Sequence, residues 1–434
     1  MEKALVIGAA RSGIAAAKLL KKAGYDVILT DMKKIDREGL EGITVYDQGH
    51  PECLKDWEYA LIVKNPGIPY TAPLIKYFVD RKDKIYTEIE TASSLTKNFH
   101  YGAITGTDGK TTVTTLLYEM LKKKDSNAQV AGNIGIPLSD VVLEHGDEVL
   151  DVALELSNFQ LLGIENFHPD VCTVTNLAPD HLDYMDSLES YYRSKMKIYQ
   201  NCTKDDWFIR NVDDEMIMKY ATHIPCTVID FSLKRTDVDL YKKDGAAWLK
   251  DIKLFDIEDL KIVGDFNCGN AMMAACMAYK LGVSLEEIQS VIKEFKGVEH
   301  RIEFVREING IRIYNDTKAT NTHAACAALS AFDRNVILLC GGKDKHISFD
   351  DLKQYDSEVK HCFSFGETKD RFRDIFTYQT SVETMEEAFN EAMKIANPGD
   401  VVLLSPACSS FDQFKNYEIR GEIFKGIVNK FRKD

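Results

Sequence analysis

The sequence of 434 residues lacks any apolar run that approaches the roughly 20 residues needed to span a bilayer. Its first residues, MEKALVIGAA, lead directly into a strand-like run, without a positively charged segment and a cleavage site. The formal net charge is −14, which leaves no basic excess for a nucleic-acid surface. We therefore expect a cytoplasmic protein with neither a membrane nor a nucleic acid among its partners.

Patterns typical of disulfides and of zinc sites are also missing. The ten cysteines are scattered without a C-x-x-C pair, which predicts reduced thiols and no zinc ribbon. The ten histidines form no H-x-x-x-H or H-x-E pattern, so a zinc site made of protein ligands alone is not expected. No internal repeat or low-complexity tract is present.

Short apolar runs alternate with helical patterns along the whole chain. The strand-like runs are ALVIG, DVILT, YALIV, YGAIT, DVALEL, VCTVTN, WFIRN, IRIYND, NVILLCGG and DVVLLSP. Such alternation predicts α/β architecture with mostly parallel sheets. At about 150 residues per domain, the length predicts three domains. We expect a Rossmann-like N-terminal domain at 1–98, a central P-loop-type ATPase domain at 99–298 and a Rossmann-like C-terminal domain at 299–434.

The N-terminal segment nearly matches a dinucleotide-binding fingerprint. ALVIGAARSGIAAAKLLKKAGYDVILTD reads as strand, glycine turn, helix and strand, and it ends in Asp31 at the distance of a ribose contact. The middle glycine of G-x-G-x-x-G is replaced by Ala10, whose Cβ hinders a pyrophosphate and disfavours NAD. Another nucleotide could bind at the helix N-terminus near Arg11 and Ser12, with the turn at 64–69 beside it. A structural βαβ unit without a ligand is the alternative.

A glycine-rich loop in YGAITGTDGKTT follows a strand and precedes a helix. Its spacing, G-x-x-G-K-T, is two residues shorter than that of the usual P-loop. Backbone N–H groups from Gly106 to Gly109 can surround phosphate oxygens, while Lys110 neutralises phosphate charge and Thr111 offers a hydroxyl to Mg²⁺. Asp108 is unusual so near phosphate, and it faces either solvent or a metal-bound water. The alternative is a glycine-rich helix entry without a ligand.

Further acidic and basic residues follow later strands of the central segment. Glu155 ends an apolar strand, where it matches either a Mg²⁺ ligand or a solvated acid. Asp180, His181 and Asp183 lie in a loop after the next strand, where they can hold a metal or orient a nucleophile. Taken alone, His181 could equally be structural, and Lys195 would be placed on the surface.

In the C-terminal segment, three strands each end in polar residues. Cations and hydroxyls from three strand ends should meet at one edge of a sheet, which suits a small dianionic substrate. The residues concerned are Asp316, Thr317, Lys318, Thr320, Asn321, Lys343, Lys345, Ser409, Ser410 and Phe411.

Several motifs together resemble those of the Mur ligases, the ATP-dependent amide ligases of peptidoglycan precursor synthesis. The motifs are TGTDGKTT, GNIG, ELSNFQL, TNLAPDHLDYM with YYRSKMKIY, and GDFNCGNAMMA, and they cover nearly the whole chain in the family's order. Asp108 stands where the family usually has asparagine, and Phe266 stands where it often has histidine. Asn267 and Asn270 keep the adenine-side motif.

The resemblance implies roles for individual residues. Lys110, His181 and Lys195 would be catalytic, and Lys195 matches the lysine that is carbamylated in the family. ATP would contact Gly106, Thr107, Asp108, Gly109, Lys110, Thr111, Thr112, Asn267, Asn270, Arg301, Asp316 and Lys318. The cofactor would be Mg²⁺, with two ions held by Thr111, Glu155, His181 and Lys195. A UDP-sugar would contact Arg11, Ser12, Asp31, Asn65, Gly67, Asn133 and Gln160.

The motifs NDTKATN, GGKDK and SPACSSFDQFKNYEIRG resemble those of the family members that add D-glutamate to UDP-N-acetylmuramoyl-L-alanine. D-glutamate would contact Thr320, Lys345, Ser410, Phe411 and Tyr417. The implied reaction passes through an acyl phosphate, and the family implies a monomer. The alternatives are another Mur ligase, a folylpolyglutamate-type ligase, a nicotinamide-dependent dehydrogenase and a non-catalytic nucleotide-binding protein.

Overall fold

The computed structural model describes residues 1–178, 187–345 and 347–432. Within these ranges the chain forms three β-sheets, of five, nine and six strands. It divides into two compact units, one of Met1–Ile257 with Gly269–Val291 and the other of Glu258–Cys268 with Ile292–Asp434. No helix in the described part of the chain combines the length and apolarity needed to cross a membrane. All ten cysteines are free thiols, as predicted.

The first sheet belongs to the first unit and draws its strands from residues 1–98. Its strands are β1 Lys3–Ile7, β2 Asp26–Thr30, β3 Thr44–Tyr46, β4 Leu61–Lys64 and β5 Ile85–Tyr86. They run parallel in the order β3-β2-β1-β4-β5. The helices of this segment are α1 Arg11–Lys22, α2 Pro73–Asp80 and α3 Glu88–Ser94.

The alternating side chains of this sheet are buried on both faces. Val6 and Leu29 pack with Leu20 of α1 on one face. Leu5 and Ile28 lie on the opposite face with helix α2. A parallel sheet covered by helices on both sides therefore leaves its ligand-binding edge at the carboxyl ends of the strands.

The second sheet lies in the same unit. Its strands are β6 Phe99–Thr105, β7 Gln129–Gly132, β8 Leu150–Glu155, β9 Val171–Val174, β10 Trp207–Asn211, β11 Thr227–Ser232, β12 Leu240–Lys243, β13 Ala246–Leu249 and β14 Ile252–Asp256. Their order is β14-β13-β12-β11-β10-β9-β6-β8-β7. Pairing is parallel from β7 to β12 and antiparallel between β12, β13 and β14.

The helices that follow in the chain are α4 Lys110–Lys124, α5 Leu138–His145, α6 Asn158–Leu162, α7 Leu188–Met196, α8 Glu215–Tyr220, α9 Asp265–Lys280 and α10 Leu285–Glu294. The first two sheets are joined through buried carboxylates of α3. Glu88 accepts a hydrogen bond from the Ser139 backbone N–H at the start of α5. Glu90 accepts hydrogen bonds from the backbone N–H groups of Glu165 and Phe167.

The third sheet belongs to the second unit. Its strands are β15 Glu303–Ile308, β16 Ile311–Asn315, β17 Val336–Gly341, β18 Val359–Phe365, β19 Gln379–Ser381 and β20 Val401–Leu404, in the order β15-β16-β20-β17-β18-β19. Only the pair β15 and β16, among the described strands of this sheet, is antiparallel. Its helices are α11 Thr322–Leu329, α12 Met385–Ile395 and α13 Tyr417–Lys430. The predicted α/β class with mostly parallel sheets is confirmed.

Candidate active site

The phosphate loop joins β6 to α4, as the sequence predicts. Gly106 and Gly109 both have a positive φ, of +146° and +79°. A Cβ placed on Gly106 would lie 1.9 Å from the Thr175 Oγ1, and one on Gly109 would lie 2.6 Å from the Asn270 Oδ1. Glycine is therefore required at both positions by backbone conformation and by space.

Hydrogen bonds tie this loop to the segment that follows β9. The backbone N–H groups of Thr107 and Asp108 donate to the backbone oxygen and the Oδ1 of Asn176, at 3.0 and 2.9 Å. The Thr175 hydroxyl donates to the Asp108 carbonyl at 2.5 Å. The Asp108 residue is exposed, in line with the solvent-facing alternative. Sequence reasoning missed Thr175 and Asn176, although their place after a strand predicted beside the loop was a usable signal.

Two lysine ammonium groups converge on one carbonyl oxygen of the loop. The Nζ of Lys110 donates to the Gly106 oxygen at 3.0 Å and to the Thr107 oxygen at 2.7 Å. The Nζ of Lys195 donates to the same Gly106 oxygen at 2.7 Å and lies 4.7 Å from the Tyr191 ring centroid. Lys195 is only 2% exposed, so the surface position suggested by its local sequence is wrong. The arrangement concentrates positive charge where phosphate oxygens would bind.

Glu155 stands at the end of β8, beside the phosphate loop. In the parallel pairing of the two strands, Glu155 lies opposite Ile104, two residues before the loop glycine at 106. Its Oε1 accepts a hydrogen bond from the Asn133 Nδ2 at 2.7 Å. Its Oε2 is buried and has no hydrogen-bond partner among the described residues. A residue 1% exposed is not the solvated acid of the alternative interpretation, and a buried unmatched carboxylate oxygen suits a bound cation.

The other residues predicted to lie around the phosphate loop differ in their exposure. Thr111 is partly buried in the first turn of α4, while Thr112 is buried. Asn270 is buried against the loop through its contact with Gly109. Residues 179–186, which include Asp180, His181 and Asp183, lie outside the described part of the chain.

In the first sheet, the predicted nucleotide residues meet at the start of α1. Asn65 donates from Nδ2 to the Ser12 hydroxyl at 3.2 Å, and its Oδ1 accepts the Gly67 N–H at 3.1 Å. The Asp31 carboxylate accepts the N–H of Ala9 at 2.6 Å. Arg11 is exposed beside them. The structure thus brings four of the predicted residues to the carboxyl edge of this sheet, namely Ser12, Asp31, Asn65 and Gly67.

Gln160 is engaged in local structure. Its Oε1 accepts the Ser157 backbone N–H at 2.9 Å, and its own backbone N–H donates to the Ser157 hydroxyl at 3.3 Å, which together form a capping box at α6. Its backbone oxygen accepts the Thr87 hydroxyl at 2.8 Å. Its side-chain oxygen thus serves the helix cap, and the side chain is buried.

In the second unit, Asp316 is buried rather than open to a ligand. Its two carboxylate oxygens accept the Ile302 N–H at 3.2 Å and the Ser405 hydroxyl at 2.7 Å. Burial raises the pKa of this carboxyl to about 7. Lys318 donates its backbone N–H to the His300 oxygen at 3.0 Å.

The predicted D-glutamate residues surround the ends of β16, β17 and β20. The Nζ of Lys345 donates to the Thr320 oxygen at 3.1 Å. Ser410 is buried, whereas the neighbouring Phe411 is 70% exposed. The hydroxyl of Thr317, which follows β16, donates a hydrogen bond to the Tyr417 backbone oxygen at 3.1 Å. Asn267 donates to the Val263 oxygen at 2.8 Å, and Arg301 is exposed.

Sequence reasoning missed Arg420, a fully buried residue of α13. Its Nε and Nη2 donate to the hydroxyl and carbonyl of Thr317 at 2.8 and 2.9 Å, and Nη2 also donates to the Cys408 oxygen at 3.1 Å. Burial lowers the pKa of this guanidinium to about 10. Arg420 therefore fixes two of the three polar loops against each other.

Two family models and several curated proteins match this chain. Residues 104–278 match the Mur ligase middle domain, and residues 300–408 match the Mur ligase, glutamate ligase domain. The UDP-N-acetylmuramoylalanine–D-glutamate ligase of Geobacillus kaustophilus is 40% identical over 445 residues, which cover 99% of this chain and 98% of that protein. The chain belongs to the Mur ligase family. The resemblance found in the sequence is confirmed.

Two further likenesses extend the comparison of this Mur ligase. The protein of the same name from Bacillus subtilis is 38% identical over 441 residues, covering 99% of this chain and 97% of that protein. The crystal structure of UDP-N-acetylmuramate-alanine ligase MurC from Thermotoga maritima matches with a TM-score of 0.56 at 19% identity, covering 99% of both chains, which supports the fold alone. Membership of the Mur ligase family excludes the alternative of a nicotinamide-dependent dehydrogenase.

Proposed function

We propose that this Mur ligase joins D-glutamate to the alanine carboxyl of UDP-N-acetylmuramoyl-L-alanine, with ATP as the source of free energy. The observation that carries the proposal is the site beside the phosphate loop. There the ammonium groups of Lys110 and Lys195 share one carbonyl oxygen, and Glu155 offers a buried unmatched oxygen. The substrate names follow from relatives 38% to 41% identical over nearly the whole chain. The same names favour D-glutamate over the amino acids of other Mur ligases.

The chemistry needs an activated carboxyl, because a carboxylate is a poor electrophile. The γ-phosphoryl group passes from ATP to the alanine carboxylate, and ADP leaves. The amine of D-glutamate then attacks the acyl carbon, phosphate leaves, and the amine loses a proton to a base. Lys110 neutralises the phosphate charge during the transfer, and positioning supplies most of the remaining acceleration. His181, by the family resemblance, is our candidate for orienting the reacting groups.

Mg²⁺ fits one part of this site directly. The unmatched Oε2 of Glu155 and the hydroxyl of Thr111 are oxygen donors of the kind that Mg²⁺ prefers. Lys195 fits only after carbamylation, because an ammonium repels a cation and a carbamate is an anionic oxygen donor. Bound Mg²⁺ would offset the charge of the phosphates. The number of ions, two by family resemblance, belongs to the proposal.

The two substrates divide between the sheets in this proposal. The UDP-sugar binds at the start of α1, where Ser12, Asp31, Asn65 and Gly67 meet with Arg11 beside them. An N-terminal helix end favours the diphosphate. Asn133 and Gln160 remain our candidates for the sugar-peptide. D-glutamate binds near Lys345, Thr320, Ser410, Phe411 and Tyr417. By the family resemblance, our remaining candidates for ATP contacts are Asn267, Asn270, Arg301 and Lys318, whereas the buried Asp316 is not among them.

The deciding experiment measures phosphate release from ATP with UDP-N-acetylmuramoyl-L-alanine and Mg²⁺, adding D-glutamate, L-glutamate, L-lysine, meso-diaminopimelate or L-alanine one at a time. Release with D-glutamate alone, and a product heavier by one glutamyl residue, is the expected result. Release with a different amino acid would keep the ligase mechanism and refute the D-glutamate assignment. No release with any of them would refute the proposed substrate pair.

A matched pair of variants tests the phosphate loop. Lys110→Met should lower kcat by about a hundredfold or more, the usual effect of removing a group that stabilises transition-state charge. Lys122→Met, on the exposed face of the same helix, should leave turnover unchanged. Near-normal turnover of the Lys110 variant would refute its role.

We also propose that the enzyme is monomeric and cytoplasmic, with domain boundaries near residues 98 and 298. Light scattering measures the molar mass in solution and so tests the monomer.

A further inference from the structure

Lys64, the last residue of β4, is a fully buried lysine in the first unit. Its ammonium donates to the backbone oxygens of Asn65, Pro66 and Ile68, at 3.4, 3.3 and 2.9 Å. The ring of Tyr70 lies 4.6 Å from the Nζ. No carboxylate of the described residues forms an ion pair with Lys64. The ammonium is therefore solvated by the carbonyls of a single turn and by one aromatic face.

Such burial has a cost that the fold must offset elsewhere. Removing an ammonium from water without a counterion is unfavourable, and burial accordingly lowers the pKa of Lys64 to about 8. Aliphatic residues supply most of the surrounding core, so an aliphatic side chain would avoid this cost. An aliphatic side chain could not donate a hydrogen bond, whereas the Lys64 ammonium donates to three backbone carbonyl oxygens of the turn.

The turn that Lys64 holds is part of the glycine-loop edge. A Cβ on Gly8 would lie 2.7 Å from the Asn65 Cβ and 2.8 Å from the Ile68 Cδ1, so the turn packs directly on the loop between β1 and α1. The Asn65 side chain then contacts the hydroxyl of Ser12 in the first turn of α1. Moving the turn would move Asn65 and open this edge.

We propose that Lys64 is a positioning residue for the UDP group: its ammonium fixes the turn at 65–68 against the glycine loop, and the turn then holds Asn65 and Ser12 in place to receive the nucleotide. Lys64 itself does not touch the substrate. The inference rests on the proposed function, since it assumes that a UDP-sugar binds at the start of α1.

The first test compares Lys64→Met with Val27→Ala in the full-length enzyme. Val27 is buried in the same sheet and has no polar side-chain contact, so it controls for lost stability. Lys64→Met should raise the Kd for UDP and the KM for the UDP-sugar by about tenfold, the loss of roughly 1.4 kcal/mol of binding, while kcat and the KM for ATP stay within twofold. Val27→Ala should leave all four constants near wild type.

A second test compares the pH dependence of UDP binding by the wild type with that of Lys64→Met. Loss of the ammonium proton between pH 7 and 9 should weaken UDP binding several-fold, and Lys64→Met should show a flatter profile. The elements packed against β4 carry several titratable groups. They are Tyr86 of β5, Glu88 and Glu90 of α3, Lys3 of β1, Lys76, Tyr77 and Asp80 of α2, and Arg11, Lys18, Lys21 and Lys22 of α1. Tyr70 contacts Lys64 itself. All of these groups are present in both proteins, so the difference between the two profiles isolates Lys64.

The outcomes separate the inference from the proposed function. If the wild type releases phosphate with D-glutamate but Lys64→Met and Val27→Ala change UDP binding equally, Lys64 has only a structural role and the inference is wrong. A wild-type Kd for UDP that is constant from pH 7 to 9 would also overturn it. If the wild type neither binds UDP nor turns over the UDP-sugar, the proposed function fails first.

Discussion

Replacing Glu155 by glutamine should remove the stabilisation that Mg²⁺ gives to the first unit. Glutamine keeps the oxygen that accepts the Asn133 hydrogen bond but carries no charge. The Oε2 of Glu155 is buried and has no partner in the described ranges, and an unmatched polar atom of this kind costs about 1–3 kcal/mol. A cation bound there relieves this cost. The metal-free variant should therefore unfold at the same temperature as metal-free wild type, or slightly above it.

The expected size of the Mg²⁺ effect follows from binding linkage. At a concentration one hundred times its Kd, Mg²⁺ stabilises the folded state by about 2.7 kcal/mol. For a cooperative unit of about 150–250 residues, 1 kcal/mol corresponds to roughly 2–4 °C. Wild type should then unfold about 5–10 °C higher in Mg²⁺ than in EDTA, whereas Glu155→Gln should show less than a quarter of that shift.

Thermal unfolding followed by circular dichroism, with and without Mg²⁺, measures this difference directly and independently of catalysis. Glu144→Gln is the control, because Glu144 is an exposed acid of the same unit and its neutralisation should leave the Mg²⁺ shift intact. A full shift in Glu155→Gln would mean that the unmatched oxygen is not a metal ligand. Equal losses in both variants would mean that the shift reflects general charge screening.

Three other changes have defined outcomes. Gly106→Ala should lower the unfolding temperature and reduce kcat/KM at least a hundredfold, since its Cβ would meet Thr175, whereas Gly24→Ala, at a positive φ with open space around it, should cost only about 1 kcal/mol. Burial raises the pKa of Glu88 to about 7 from 4.5, so the folded state binds its proton more tightly and stability should fall as the pH rises from about 5 to 8; urea unfolding of Glu88→Gln should show a flatter profile. Lys195→Ala should lose activity that bicarbonate does not restore and that short-chain carboxylic acids restore in part; a wild type with an unmodified lysine by mass analysis, active without CO₂, would contradict carbamylation.

Local patterns in the sequence were sufficient for the fold class and for ten of the twenty described strands. Each of the ten apolar runs predicted as strands contains a strand. Successive side chains of a strand point to opposite faces of the sheet, so a continuous apolar run is typical of a strand that is buried on both faces. The loop at 106–109 was also readable, since its two glycines meet conformational requirements of the backbone itself. The other ten described strands were missed, because most of them are very short or carry charged side chains and so form no apolar run; LYKK of β12 and IKLFD of β14 are examples.

The chemistry of individual residues depended on contacts between distant parts of the chain. Lys195 reaches the Gly106 carbonyl across 89 residues of sequence, and no local pattern specifies that contact. Gln160 and Asp316 carry the polar groups of binding residues, yet burial directs the Gln160 oxygen to a helix cap and both Asp316 oxygens to partners within its own unit.

The sequence by itself therefore determined the fold class, the strands with continuous apolar runs, the phosphate loop and the family. These depend on periodicity and on backbone requirements that act over a few residues. Only the tertiary structure decided that Glu155 is buried with an unmatched oxygen, that two ammonium groups share the Gly106 carbonyl, and that the Lys64 ammonium donates to the carbonyls of one turn. These properties arise from desolvation, which exists only once distant segments have packed together.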